Sequence, residues 1–429
     1  MRNYSETIFS LATSKSKSAL AVFRISGKLS IKKTQKLTKN KTTTNKKSKL
    51  CYFFDNKGNK IDQVVLTTYT APKSYTGENM AEISCHGSIA IINKITEILI
   101  NNGLRQSEPG EFTKRALMNN KLGLLQAEAI NDIVNAETDN QRVIAINNLG
   151  QKQDQYIETL TLKLSKLLAD VEAIIDFVDD ELPTKLHNNI KEQRKNIIDF
   201  LEKTIENSEL SKKINQGYKV TVLGKPNTGK SSFINFINNK DVSIVTNLPG
   251  TTTDLISSVL EISGNKFTFI DTAGIRRYKN IIEKIGIKKS LESAEKSDLN
   301  LVFLKNNEKK DYANIKNKIF IRSKFDKDKT KTTGVVNISS ITGYGIKSLL
   351  SKISKKTKNS ALKNPTFSRE RHIASLKKSL FYIKNSNISK IDIFAENIRI
   401  SIKSIEEINQ KFDIEKILDI IFSDFCIGK

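Results

Sequence analysis

The sequence predicts a multidomain chain of α/β plus all-α class: a small α/β domain, then a discontinuous helical bundle with a second α/β domain inserted in it. Three observations carry this. Residues 1–118 mix short β-like runs with one apolar helix, whereas residues 119–215 gain a helical leucine repeat and have no glycine after Gly150. Residues 216–355 alternate strand and helix again, and helical periodicity resumes over 356–429. At 429 residues the chain is too long for one ordinary core.

In the first part, "ALAVFRIS", "QVVLTTYT" and "AEISCHG" read as strands, and "AIINKITEILINNG" as an apolar helix. The run "KKTQKLTKNKTTTNKKSK", Lys32–Lys49, reads as a solvated loop. The second part has no glycine between Gly150 and Gly217, and Pro183 is its only proline there. Leu160, Leu164, Leu167, Leu168, Val171, Ile174, Ile175 and Val178 recur at helical spacing, which predicts a long amphipathic helix in a bundle. Because the same periodicity returns from Arg369, the bundle is split around residues 216–355.

Composition narrows the function classes. A formal charge of +25 favours a polyanionic partner, nucleic acid first, although lysine spread through the whole chain is also what compositional drift gives. Cys51, Cys85 and Cys426 are too far apart for a disulfide framework or a metal motif, and His86, His187 and His372 are scattered. The expectation is a reducing, cytoplasmic setting without a zinc site. No signal peptide opens the chain, and no run of about 18 apolar residues predicts a membrane span.

The strongest chemical signal is "YKVTVLGKPNTGKSSFINFI": a strand, then Gly224-x-x-x-x-Gly229-Lys230-Ser231, then a helix. Glycines let backbone N–H groups face phosphates, Lys230 reaches the β and γ oxygens, and Ser231 ligates Mg²⁺. A second strand runs into Asp271-Thr272-Ala273-Gly274, where a carboxylate can hold Mg²⁺ through water and an amide can meet the γ-phosphate. Two phosphate motifs in this order predict an NTPase. A third strand ends in Ser323-Lys324-Phe325-Asp326, where one carboxylate can accept guanine N1–H and N2–H together. Lys324 would lie over the ring, and "SSITG", from Ser339, would supply backbone contacts to the guanine O6. "NKID" at Asn59–Asp62 matches the guanine motif by letter, but a base-reading loop already follows Asp271, so it reads as a surface turn. Ile275 stands where a water-orienting glutamine would be, and no arginine finger is evident. Among downstream acids Glu283 is a candidate, or simply a solvated helix charge.

With "TGENMAEISCHG", "EPGEFTKRALMNNKLGLLQAEAINDIVNAET", "GKPNTGKSS", "PGTTTD", "DTAGIR", "RERH" and the terminal "FCIGK" in view, the chain resembles the MnmE (TrmE) family of tRNA modification GTPases over almost its whole length. The resemblance implies a tetrahydrofolate-binding N-terminal domain, a split helical domain and an inserted Ras-like P-loop GTPase domain. It also implies a homodimer formed through the N-terminal domains, residues 1–118, and a heterotetramer with the flavoprotein MnmG that adds a carboxymethylaminomethyl-type group to C5 of the wobble uridine of certain tRNAs. The implied cofactors are GTP, Mg²⁺, K⁺ and 5-formyl- or methylene-tetrahydrofolate.

By position, the resemblance assigns GTP contacts to Asn227, Thr228, Gly229, Lys230, Ser231 and Ser232 in the first loop. It adds Thr246, Thr251 and Thr252, then Asp271, Thr272, Ala273 and Gly274, then Ser323, Lys324, Asp326 and Ser339. Ser231 and Thr252 match Mg²⁺ ligands; Asn227, Thr246, Leu248 and Thr251 match K⁺ ligands. Asn227, Lys230 and Glu283 are the catalytic set, with Glu283 matching the water-orienting carboxylate. Arg24, Glu82, Lys121 and Lys429 match folate-contacting positions. The departures are "SKSKS" for a glycine-rich stretch, Gly123 for aspartate, Thr253 for arginine and Ser323 for asparagine. The tail raises a separate question, since Cys426 sits fourth from the end as in a prenylation signal, but Gly428 and Lys429 fit one poorly. The resemblance places it beside the folate instead, as a reactive thiol or as a small packing residue. The alternative is a ribosome-assembly GTPase of the Era or Der type.

Overall fold

The computed structural model describes residues 6–40, 46–150, 152–176, 184–239, 257–271, 292–305, 308–356 and 367–409. Two compact units divide at Asn131/Asp132, the second running to Ile408.

The first unit is a six-stranded sheet with helices. In chain order it has β1 (Ile8–Leu11), β2 (Ser18–Ser26), α1 (Ser30–Thr38), β3 (Ser48–Phe54), β4 (Lys60–Tyr69) and β5 (Met80–Gly87). Then come α2 (Ile89–Asn101), β6 (Arg105–Gln106) and α3 (Glu111–Met118), while α4 (Leu124–Asn135) crosses the boundary between units. The strand order is β3-β4-β5-β2-β1-β6, antiparallel except for the parallel β1–β6 pair. Alternation along β2 and β5 turns Ala21, Phe23, Ile25, Ala81, Ile83 and Cys85 inward, where Ile92, Ile95 and Leu99 of α2 cover them. Burial pushes the Cys85 thiol up to about 11, so it acts as a small apolar residue here.

Two expectations fail in this unit. Residues 32–49 are not one solvated loop, because α1 occupies Ser30–Thr38 and buries Thr34, Leu37 and Thr38 at helical spacing. Nor is Asn59–Asp62 a surface turn. The turn closes at Asn59, and Asp62 belongs to β4 with its carboxylate bonded to the His86 amide at 2.8 Å and to His86 Nδ1 at 2.7 Å.

A buried ionic cluster ties the unit together. Arg115 is 1% exposed and donates to Glu111 Oε1 (2.9 Å), Glu78 Oε2 (3.1 Å) and the Glu6 carbonyl (2.9 Å). Burial would raise the Glu111 carboxyl, but bonds from Arg105, the Glu108 amide and Arg115 outweigh it and hold it below its ordinary value. Its contribution is therefore present above the unfolded carboxyl pKa and is lost as pH falls through the folded value. Arg115→Leu strands buried carboxylates and is expected to cost about 3–5 kcal/mol. Hydrogen exchange of the β2 amides checks it, and parental protection would contradict the claim.

The second unit joins helices to a second sheet. It has α5 (Asp139–Leu149), α6 (Lys152–Asp176), α7 (Thr184–Gln216), β7 (Tyr218–Gly224), α8 (Lys230–Asn239), β8 (Ser257–Ile262) and β9 (Asn265–Asp271). It continues with β10 (Leu299–Phe303), β11 (Lys318–Arg322), β12 (Val336–Asn337), α9 (Ile346–Lys355), α10 (Glu370–Asn385) and α11 (Ile391–Glu406). In α6 the leucine repeat buries Leu160, Leu164, Leu167 and Val171, whereas Val178 lies outside the described residues. Helices α6 and α7 pack on α10 and α11 although the whole sheet separates them in sequence. The sheet runs β12-β11-β10-β7-β9-β8, parallel except for edge strand β8. Val220, Val222, Phe233, Phe269, Leu301 and Ile321 fill its core. Central strand β7 thus delivers the glycine-rich loop at the carboxyl edge, where open parallel sheets bind ligands.

Candidate functional site

Two loops meet at that edge. The first leaves β7 at Gly224, whose φ of +142° and closeness to the Phe303 carbonyl exclude a side chain. Gly229, at φ +91°, is equally constrained: a Cβ there would sit 2.9 Å from the Ser323 Cβ. Between them Asn227 takes a left-handed φ of +60°, and Thr228 Oγ1 donates to the Lys225 carbonyl at 2.8 Å. Lys230 opens α8 nearly buried, at 6% exposed, and its ammonium donates to the Gly224 and Lys225 carbonyls at 2.7 and 2.8 Å. That fixes a positive charge inside a ring of backbone at a helix N-terminus, which suits phosphate. Ser231 and Ser232 are exposed in the first turn of α8.

The second loop follows β11 and is tied to the first. Ser323 Oγ donates to the Thr228 carbonyl at 2.5 Å, and Lys324, with φ +60°, donates from Nζ to the Asn227 carbonyl at 3.0 Å. So Ser323, though shorter than asparagine, still bridges the two loops. Lys324 lies along the phosphate loop, where its stem can cover one face of a base. Asp326 Oδ1 accepts from Ser339 Oγ at 2.6 Å, and this bond is the first cause holding its carboxyl below the ordinary range. It stays ionised at neutral pH. Ser339 Oγ is itself approached by the Ile341 and Thr342 amides at 3.3 and 3.2 Å, so the "SSITG" loop is folded around it. Phe325 stacks on Tyr344 with ring centroids 4.6 Å apart, bracing the loop from behind.

Asp271 ends β9 opposite Val222, beside the strand that feeds the phosphate loop. Thr246, Leu248, Thr251, Thr252, Thr272, Ala273, Gly274 and Glu283 lie outside the described residues. Of the K⁺ set only Asn227 is described. It is exposed, its side-chain amide makes no hydrogen bond among the described residues, and a neutral amide oxygen suits a hard monovalent cation. Ser231, a hydroxyl in the first helical turn, likewise suits Mg²⁺.

In the first unit, Arg24 and Glu82 face each other across β2 and β5, with Nε to Oε1 at 2.9 Å. Two residues not singled out from sequence join them. Tyr69 OH donates to Glu82 Oε2 at 3.2 Å, and the Arg24 guanidinium stands 5.6 Å from the Tyr75 ring centroid. Tyr75 directly precedes the "TGEN" run, the one signal that pointed to it. Lys121, between α3 and α4, is exposed and packs against the β4–β5 loop at Gly77, where an added Cβ would meet its Cγ at 3.1 Å. Cys426 and Lys429 lie outside the described residues.

Comparison with known proteins matches the description "MnmE helical domain" to residues 124–426 and "GTP-binding protein TrmE N-terminus" to residues 7–121. The chain belongs to the MnmE family. A relative named tRNA modification GTPase MnmE from Fervidobacterium nodosum is 36% identical over 99% of this chain and 98% of its own length. MnmE proteins of Aquifex aeolicus and Pelagibacter ubique are 32% and 36% identical over 99% of this chain and 100% of theirs. Among solved structures, the G domain of the T. maritima FeoB iron transporter aligns with 33% of this chain and 99% of its own at 28% identity, with a TM-score of 0.26. Among the described residues no helix is long and apolar enough to cross a membrane.

Proposed function

We propose that this MnmE-family chain is a K⁺-activated GTPase that works with a flavoprotein of the MnmG type to install a carboxymethylaminomethyl-type group on C5 of the wobble uridine of certain tRNAs. The observation that carries the GTPase reading is the junction of the two loops: Ser323 and Lys324 on the Thr228 and Asn227 carbonyls, with Asp326 aimed by Ser339. It supports a reading in which Asp326 accepts the guanine base at a fixed offset from the loop that holds the phosphates.

In this reading Lys230 binds the β and γ oxygens, and Ser231, with Thr252, holds Mg²⁺. Asn227, Thr246, Leu248 and Thr251 hold K⁺, which when bound supplies positive charge at the γ-phosphate. Glu283 orients the attacking water. Arg24, Glu82, Lys121 and Lys429 hold a formyl- or methylene-tetrahydrofolate in the first domain, and Cys426 lies beside it. The domains are 1–118, 119–215 with 356–429, and an inserted G domain, 216–355; the packing of α6 and α7 on α10 and α11 supports the split. The chain is a cytoplasmic homodimer that joins MnmG in a heterotetramer. The near-full-length MnmE relatives and the N-terminal match over 7–121 favour this over a ribosome-assembly GTPase.

Asp326→Asn tests the base reading. The amide can no longer accept both N1–H and N2–H of guanine, but it can donate to a 2-oxo group. The expected result is a rise in the GTP KM of about tenfold or more, with xanthosine triphosphate gaining as a substrate. Unchanged guanine selectivity would remove Asp326 from base recognition.

A further inference from the structure

The lysine-rich stretch near the start of the chain plays no part in the nucleotide site, and it folds against an aromatic face. Residues 28–62 contain eleven lysines and two aspartates. Both aspartates are engaged locally. Asp55 accepts the Lys57 and Asn59 amides at 2.9 and 2.8 Å, and Asp62 is bonded to His86. Among the described residues no carboxylate pairs with Lys39 or Lys60. Instead their ammonium groups lie 4.2 Å from the ring centroids of Phe54 and Tyr52 respectively. Tyr52 and Phe54 alternate onto one face of β3, an edge strand, with ring centroids 6.4 Å apart. Leu50 continues that face at 62% exposed, and Tyr52 is 41% exposed. Two lysines cover the two rings; Lys36, Lys46, Lys47 and Lys57 are exposed and add charge that packing does not use.

We propose that this edge of the first unit, built from β3, the start of β4 and the end of α1, binds an unpaired stretch of RNA. The lysines contact phosphates and Tyr52 gives a base a stacking surface. Flat aromatic faces interleaved with cations are what sequence-tolerant binding of single strands requires. A second copy of the chain is the poorer occupant, because it would bring two uncompensated lysine clusters together. The choice of RNA rests on the tRNA reading above.

The test uses the full-length protein with two labelled probes, an unmodified tRNA transcript and a polyuridylate oligonucleotide, titrated across salt. Lys39→Glu with Lys60→Glu is expected to weaken both probes at least about tenfold. It should also flatten the slope of log K against log salt by about 0.7 per phosphate contact removed. Tyr52→Ala is expected to weaken them by about fivefold or more with the salt slope kept. GTP turnover should not change in either variant, and parental hydrogen-exchange protection of the β2 and β5 amides reports that the first unit still folds. Parental affinity and slope in both variants overturn the proposal. So does a changed sedimentation mass with RNA affinity intact, which makes the face a self-interface. If the parent binds polyuridylate through these residues but not tRNA, the tRNA reading fails while the surface stands.

Discussion

Lys230→Ala lowers the GTP hydrolysis rate by about 10²–10³-fold at saturating nucleotide. Phosphoryl transfer asks little of a protein beyond positioning and charge, so a fixed cation at the β and γ oxygens is a large share of what it can offer. Here the ammonium is buried and directed by the Gly224 and Lys225 carbonyls, so no neighbouring lysine can replace it in the same place. Single-turnover phosphate release is the measurement. Lys230→Arg keeps the charge but not the reach, and should recover only part of the rate. Parental turnover in the alanine variant would remove Lys230 from the chemistry.

Exchanging K⁺ for Na⁺ is expected to cost about 10³-fold in the same assay, the scale an arginine finger supplies in other GTPases. In the proposed reading Asn227 would contribute a neutral oxygen and no charge of its own, from a left-handed position, φ +60°, in the phosphate loop. GDP affinity should change far less between the two salts, because interactions realised in the transition state alter rate more than ground-state binding. Equal rates in both salts would end the K⁺ reading while leaving the GTPase reading in place.

Local signals were legible in the sequence where they coincide with local structure. The strand and helix that flank Gly224–Ser231 are β7 and α8, because alternation, glycine spacing and the polar start of a helix all act within about ten residues. The leucine repeat of α6 was legible for the same reason. Helix α1 was not: its lysines mask a short apolar stripe, and only packing on the sheet makes Thr34, Leu37 and Thr38 a buried face. The place of Asp62 was not legible either, because its partner, His86, is on another strand. Tyr69 and Tyr75 escaped notice likewise, since Glu82 and Arg24 reach them only through strand pairing and the fold of a loop. Ser323 shows the opposite case. The resemblance leads one to expect asparagine there, yet its hydroxyl bridges to the Thr228 carbonyl.

Mass spectrometry of the nucleosides in total tRNA tests the central claim most directly. A bacterial strain lacking its own MnmE-family protein is supplied with this chain, or with its Lys230→Ala variant, at matched abundance. The account predicts that the parental chain restores C5-aminomethyl-type wobble uridine and that the variant does not. TRNA that stays unmodified with the parental chain, in a strain whose own flavoprotein partner is intact, would contradict it.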